Sequence, residues 1–464
     1  MTTKNPLGVH AEGDPWFLWF FALFVWRYLR FIVNLAGFYL YKPSPILDKP
    51  TYTGGRDVTV IVPTVEPSGP DFLPCITSCA KNRPKRIIIV AGGKALLEKT
   101  EEVVEPLKEK YPDVKFDVDF TPAANKRDQV ARAVRLVDTP ITVMLDDHVF
   151  WRPRFLPSVL APFEDPKVGL VGTNNPHLRN RIWNMLGALY LERHNFENRA
   201  TNAIDGGVSV VSARTAAIRA EILQRPDFLP RYTKEMFFFN IFGPLNPDDD
   251  NYVTRFVVKH GWKIKIQQTP DSLIETTVGV TEPLEWKFIG QCLRWSRSTW
   301  RSNTCSLFTD RTVWKSQPYC VYAVHIAGLT NFAAIIDPAL VYLFTKTQLY
   351  RGYSWWSPTP LLNLSILLCW IMLTKVVKVY PYYARHPEDI PLFPYYVLFA
   401  YFHSFLKAWA MITFWDCSWS GRNLKAAAMK EPVTAPGSAR REPGGSVEPG
   451  DSLVATKLDM TNAI

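Results

Sequence analysis

Residues 16–41 (WFLWFFALFVWRYLRFIVNLAGFYLY) form an apolar run that few water-soluble folds accommodate. A bilayer crossing takes about 20 residues, and this stretch is long enough. Arg27 and Arg30 interrupt it, so it tilts, snorkels or lies partly in the interface. It lacks a small-residue cleavage site and reads as a retained anchor rather than a removed signal peptide. Three more apolar segments crowd the C-terminal third, at 319–344, 355–377 and 390–415. The last two carry Trp and Tyr near their ends, as interfaces favour. Such segments in series are hard to bury in a soluble core, and an integral membrane protein is expected.

The stretch between these segments is mixed like a soluble domain, and the 464 residues suffice for a large core or two units. Seven cysteines are scattered without a CxxC pair or zinc spacing, which excludes a disulfide framework and fits a reducing, cytosolic setting. The net charge of +10 suits anionic lipid heads or a polyanionic ligand. No segment resembles a nucleic-acid-binding module.

The middle region alternates between two periods. VTVIVP (58–63), RIIIVAGG (86–93), VKFDVDF (114–120) and ITVML (141–145) read as strands. Helical stretches separate them, notably NKRDQVARAVRLV (125–137), where Val130, Val134 and Val137 share a face. This predicts an α/β domain with a mostly parallel sheet and helices on both sides. Ligands in such sheets bind beyond the carboxyl ends of the strands.

Three clusters bear chemistry, and each has two readings. Asp146, Asp147 and His148 end the ITVML strand; they either cap a turn or hold a hard divalent cation. Asp248, Asp249 and Asp250 precede a helical run; they either cap its amides or supply a general base. QCLRWSRSTWRSN (291–303) either lies on lipid or offers arginine to phosphate and tryptophan to a sugar ring.

Taken in order, the strand-end Asp cluster, acidic helix start, Gln-x-x-Arg-Trp and membrane segments resemble the processive family 2 glycosyltransferases. These include hyaluronan, chitin and cellulose synthases, and RWSRSTWRSN is most similar to the hyaluronan-synthase branch. The resemblance implies a GT-A-like (Rossmann-like) domain over 52–279, preceded by a polar segment (1–15) and the anchor (16–41). Interfacial helices would follow at 280–317, membrane helices at 318–416, a gating segment at 417–430 and a disordered tail at 431–464.

It also implies roles. Thr64 and Glu66 would lie on the uridine side, and Lys126 and Arg127 near the diphosphate. Asp146 and His148 would hold Mn2+ or Mg2+, the histidine favouring manganese, with Asp147 turned to ribose. Asp205, Gly206 and Gly207 would line the donor sugar and acceptor. Asp250, or failing that Asp249, would be the base of an inverting displacement. Gln291 and Arg294 would hold the departing UDP, with Trp295 as acceptor platform and Trp419 and Arg422 closing over the nucleotide. The acid that usually ends the second strand is replaced by Ala91, Gly92 and Gly93.

The implied product is an extracellular polysaccharide made at the plasma membrane by a cytosolic catalytic domain. The partners are a UDP-sugar, the growing chain and the bilayer. Transfer of one sugar to a lipid carrier and an inactive transferase-like protein are the alternatives. The sequence leaves open the donor sugar, product length, subunit number and count of crossings. Three full C-terminal crossings would put Arg422, Lys425 and Lys430 on the far side. Either one of the three is therefore re-entrant, with the 319–344 segment, interrupted by Asp337 and Pro338, as the candidate, or the first anchor hides an extra turn.

Overall fold

The computed structural model describes residues 14–173, 182–276, 284–351 and 359–418. Seven strands form one sheet in the order β3-β2-β1-β4-β7-β6-β8. They are β1 (Val58–Thr64), β2 (Arg86–Gly92), β3 (Lys115–Thr121), β4 (Ile141–Leu145), β6 (Val168–Thr173), β7 (Thr215–Arg219) and β8 (Lys263–Gln267). A separate ribbon pairs β5 (Val149–Trp151) with β9 (Ile274–Thr276). Every residue of β1 and β4 is buried, which explains their unbroken apolar runs. Two clusters of buried side chains cover the faces of the sheet, one including Val60, Phe72 and Val143, the other Ile61, Val130 and Phe256.

Chain order reverses between β1 and β4, which run parallel, with β2 and β3 beyond β1. This is the topological switch point where a crevice opens past the strand ends. Only β7 runs against its neighbours, β4 and β6. Its register sets Leu145 opposite Thr215. The residues just past that pair, Asp146 and Arg214, are joined by the Asp146 N–H donating to the Arg214 carbonyl at 3.0 Å.

The anchor is a continuous helix, Pro15–Leu40, capped by Asp14. It and Pro360–Val377 are each long and apolar enough to cross a membrane. The 319–344 stretch is not one straight crossing: Pro318–Thr330 and Ala333–Lys346 meet at 93°, as a broken span or re-entrant loop does. The 390–415 stretch supplies a helix, Phe393–Ile412, that is not apolar enough along its length to count as a span. The expected gating segment from Trp419 onward, including Arg422, and the tail lie outside the described residues.

Candidate active site

The crevice is assembled from four directions. β1 ends in Thr64, whose Oγ1 donates to Asp147 Oδ2 at 2.8 Å across the switch point. β4 delivers Asp146, Asp147 and His148. The helix Lys126–Val134 starts here because Asn125 caps it, accepting from the Arg127 and Asp128 amides. That start puts Lys126 Nζ between two carboxylates, 2.8 Å from Asp146 Oδ1 and 3.0 Å from Asp249 Oδ2. The fourth direction is the helix Leu284–Thr304, on which Gln291, Arg294, Trp295 and Ser298 recur at helical spacing.

The three consecutive aspartates have separate fates. Asp248 is fully enclosed and held by Arg301, with Nε 2.7 Å from Oδ2 and Nη2 2.9 Å from Oδ1, and Ser298 also donates to it. Burial opposes its charge, yet the guanidinium keeps the carboxyl below its usual range. Asp249 opens the helix Asp249–Lys259 and meets Lys126. Asp250 is pushed up to about 7 by burial and by the neighbouring Asp249 charge, against the pull of Lys126 and Arg294. A half-buried carboxyl poised near neutrality is suited to proton transfer.

Asp146 and His148 at the end of β4 are residue types that take a divalent ion. Asp146 keeps partial exposure, and Lys126 holds it ionised despite burial. His148 Nδ1 lies 3.0 Å from Asp147 Oδ1, the carboxylate–imidazole pairing that orients a metal-binding histidine and leaves Nε2 as the ligating atom. Among the described residues, no group of three or more His, Cys, Asp and Glu gathers in metal-holding geometry. An ion at Asp146 and His148 would therefore share its shell with substrate oxygens, as phosphate-bound magnesium does.

Several expectations change. Arg127 is only 1% exposed: Nη2 sits 2.8 Å from Glu235 Oε2 and Nη1 donates to the Tyr232 carbonyl at 2.6 Å. It is built into the wall rather than turned to a diphosphate, because one residue of helix rotation separates it from Lys126. Asp147 and Thr64 are buried on each other, so neither side chain is presented to ribose or uridine. Glu66 is exposed at the rim.

Asp205 is also reassigned. One oxygen accepts from the Gly207 amide at 3.0 Å and the other from the Cys320 amide at 2.9 Å. It ties the helix Ile182–Asp205 to the membrane segments. Gly206 has φ +77°, and a Cβ on Gly207 would stand 2.3 Å from Cys320 Cβ, so these glycines serve a turn and a packing contact. Ala91 is fully buried, and a Cβ on Gly92 would stand 2.9 Å from Val65 Cγ1 and 3.0 Å from Ala124 Cα, leaving no room for an acid at that strand end.

Sequence reasoning missed Arg214. Its guanidinium lies 5.6 Å from the Trp295 ring and feels Asp146, Arg294 and Asp250. Burial pulls its pKa down, the mark of a cation drawn out of water. Trp295 in turn stacks on Tyr190 at 5.4 Å and 19°, and Arg193 lies over Tyr190 at 5.2 Å. Trp295, Tyr190 and Arg193 thus stack in series beside the acids, and the His403 ring of the helix Phe393–Ile412 lies 5.4 Å from Tyr190.

Residues 55–298 match the family described as glycosyltransferase like family 2. The chain belongs to the family 2 glycosyltransferases. A type 2 glycosyltransferase of Gibberella zeae is 40% identical over 422 residues, covering 88% of this chain and 76% of that one. One of Pyricularia oryzae is 40% identical over 421 residues, covering 89% and 83%. The mannosyltransferase PcManGT from Pyrobaculum calidifontis, solved with GDP-Man and Mn2+, is similar in fold at 16% identity and a TM-score of 0.52, covering 84% of this chain and 97% of its own. The sheet of this glycosyltransferase is thus of the GT-A type, with its crevice at the β1/β4 switch point.

Proposed function

We propose that this glycosyltransferase takes sugars from a UDP donor by single inverting displacements and adds them to a polysaccharide that leaves through its own helices. The observation that carries the chemistry is Asp250, the half-buried acid that has no close ion pair among the described residues while Asp248 and Asp249 have theirs. In this reading Asp250 takes the proton of the acceptor hydroxyl, Trp295 supports the acceptor, and Lys126, Gln291 and Arg294 face the departing diphosphate. Gly206 and Gly207 hold the turn that positions the following strand. A manganese or magnesium ion at Asp146 and His148 would neutralise charge on that diphosphate.

Export is supported by polar groups inside the apolar helices. Asp337 is shared by Arg27 Nη2 at 3.0 Å, Lys375 Nζ at 2.7 Å and the Tyr401 hydroxyl at 3.1 Å. Charges at such depth are costly and mark pathways. Orientation with the catalytic domain in the cytosol at the plasma membrane belongs to this proposal. A second reading has its own observation: Arg30, Arg193, Lys378 and Lys407 gather around the single carboxylate Glu197, as a lipid-phosphate acceptor would require.

Membranes holding the protein, supplied with UDP-GlcNAc, UDP-glucose or UDP-glucuronate and manganese, test both. Long polymer released with UDP supports the synthase. A single sugar on extractable lipid replaces it with the second reading. Binding of UDP without turnover of any donor would defeat both.

A further inference from the structure

The segment 235–245 (EMFFFNIFGPL) is a rigid apolar finger. Phe237 and Phe242 exchange two backbone hydrogen bonds, at 2.8 and 3.1 Å, and the Ile241 amide donates to the Phe238 carbonyl at 3.0 Å. Phe238, Phe239 and Asn240 all have positive φ, a conformation that non-glycine residues, and bulky ones above all, rarely adopt. The cost of this backbone is not offset by burying the tip. Phe239 is 89% exposed, Ile241 63% and Phe238 52%. Glu235 anchors the base of the finger to Arg127 and Arg255, the latter on the helix that begins with Asp249 and Asp250.

The surroundings identify what covers the tip. The inner rings of Phe237 and Phe242 pack edge-on against Phe414, at 5.7 and 5.5 Å. Phe414 lies just past the helix Phe393–Ile412, whose outer side exposes Tyr395, Leu398, Phe402, Phe405, Trp409 and Ile412. These recur every three or four residues and form one stripe that stays exposed among the described residues. Trp415 extends the stripe, and Phe238, Phe239 and Ile241 continue it onto the catalytic domain. Two helices of this chain are long and apolar enough to cross a membrane, and a lipid phase is a medium that would cover such a stripe. Aromatic residues at the end of such a stripe fit the headgroup boundary.

We propose that the 235–245 finger inserts its Phe238–Phe239–Ile241 tip into the bilayer surface, fixing the general-base helix relative to the membrane through Glu235. The finger is thus a membrane contact made by the catalytic domain itself. It is independent of whether the product is a polymer.

The test places a small fluorescent non-natural amino acid at position 239 of the full-length protein in phosphatidylcholine nanodiscs. The same residue at the half-exposed Lys108, on the face of the catalytic domain where it pairs with Glu105, serves as the solvent control. Loss of emission with bromine-labelled acyl chains at 239, absent at 108, together with protection from aqueous iodide, is the expected result. Iodide quenching at 239 equal to that at 108 overturns the proposal. So does protection from both quenchers, which would mean a protein partner covers the tip. A reporter at Ile241 repeats the measurement if the first variant does not fold. No arm depends on catalytic turnover.

Discussion

The crevice at the strand ends and the cluster among the helices are both rich in charge, but their ion pairs are arranged differently. In the crevice Arg301 pairs with Asp248 and Lys126 with Asp146 and Asp249, while Asp250, among the described residues, has no close ion pair and only feels the nearby Lys126, Arg294 and Arg214. Among the helices Arg27, Arg30, Arg193, Lys375, Lys378 and Lys407 meet Asp337 and Glu197, which leaves cations over. Paired charges hold a structure together, whereas the unmatched group is the one available to a ligand or proton. In the crevice that group is an acid poised near neutrality. Among the helices it is a set of cations that depress Glu197 to about 2.

The comparison breaks most visibly at Asp250. Asp250→Asn should lower UDP release by roughly 10²–10⁴-fold, the range for a lost general base. In the wild type, release should rise with pH through about 7, as Asp250 ionises. The sign for stability is opposite. Its folded pKa lies above the unfolded carboxyl value of about 3.9, so its contribution is lost as pH rises from about 4 to beyond 7. Asp250→Asn should therefore raise the melting temperature at about pH 8 while abolishing turnover.

Asp248→Asn should do the reverse in stability. It strips the buried Arg301 of its partner and should cost about 3–5 kcal/mol, read as a lower midpoint of thermal unfolding. Equal stability changes at 248 and 250 would contradict the division between paired and leftover acid.

Lys126→Met sharpens the division further. Removing the cation that lowers Asp250 should move the midpoint of the pH–rate curve upward, beyond the loss of rate itself. An unmoved midpoint would mean that another group sets it. Arg214→Ala should raise the donor KM about tenfold, or about 1.4 kcal/mol, with a smaller effect on kcat, if the guanidinium meets donor rather than only Trp295. The smallest effect is expected at His148→Asp, a shift of a few-fold from manganese toward magnesium as activating ion, measured by titrating each metal.

Much of this was legible in the chain. Apolar runs announced the sheet strands and the anchor, and the strand-end and helix-start acids, Asp146 and Asp249, meet at Lys126. Other features were not legible. Arg214 follows no motif and reaches the acids only because β7 pairs antiparallel with β4. Lys126 and Arg127 look interchangeable in sequence, yet one faces the crevice and the other Glu235. Asp205 looked like a sugar ligand because a turn with two glycines followed it; the Cys320 amide it binds belongs to a distant segment.

The sequence by itself determined the α/β pattern, the membrane-compatible helices and the set of residue types at the crevice, since these depend on local periodicity and hydrophobicity. Which aspartate keeps a labile proton, which arginine is structural and which apolar loop faces lipid were decided by tertiary structure. Pairing and pKa depend on distance to charges brought from remote parts of the chain, and Asp248, Asp249 and Asp250 acquire different chemistry because Arg301 and Lys126 form close ion pairs with only two of them.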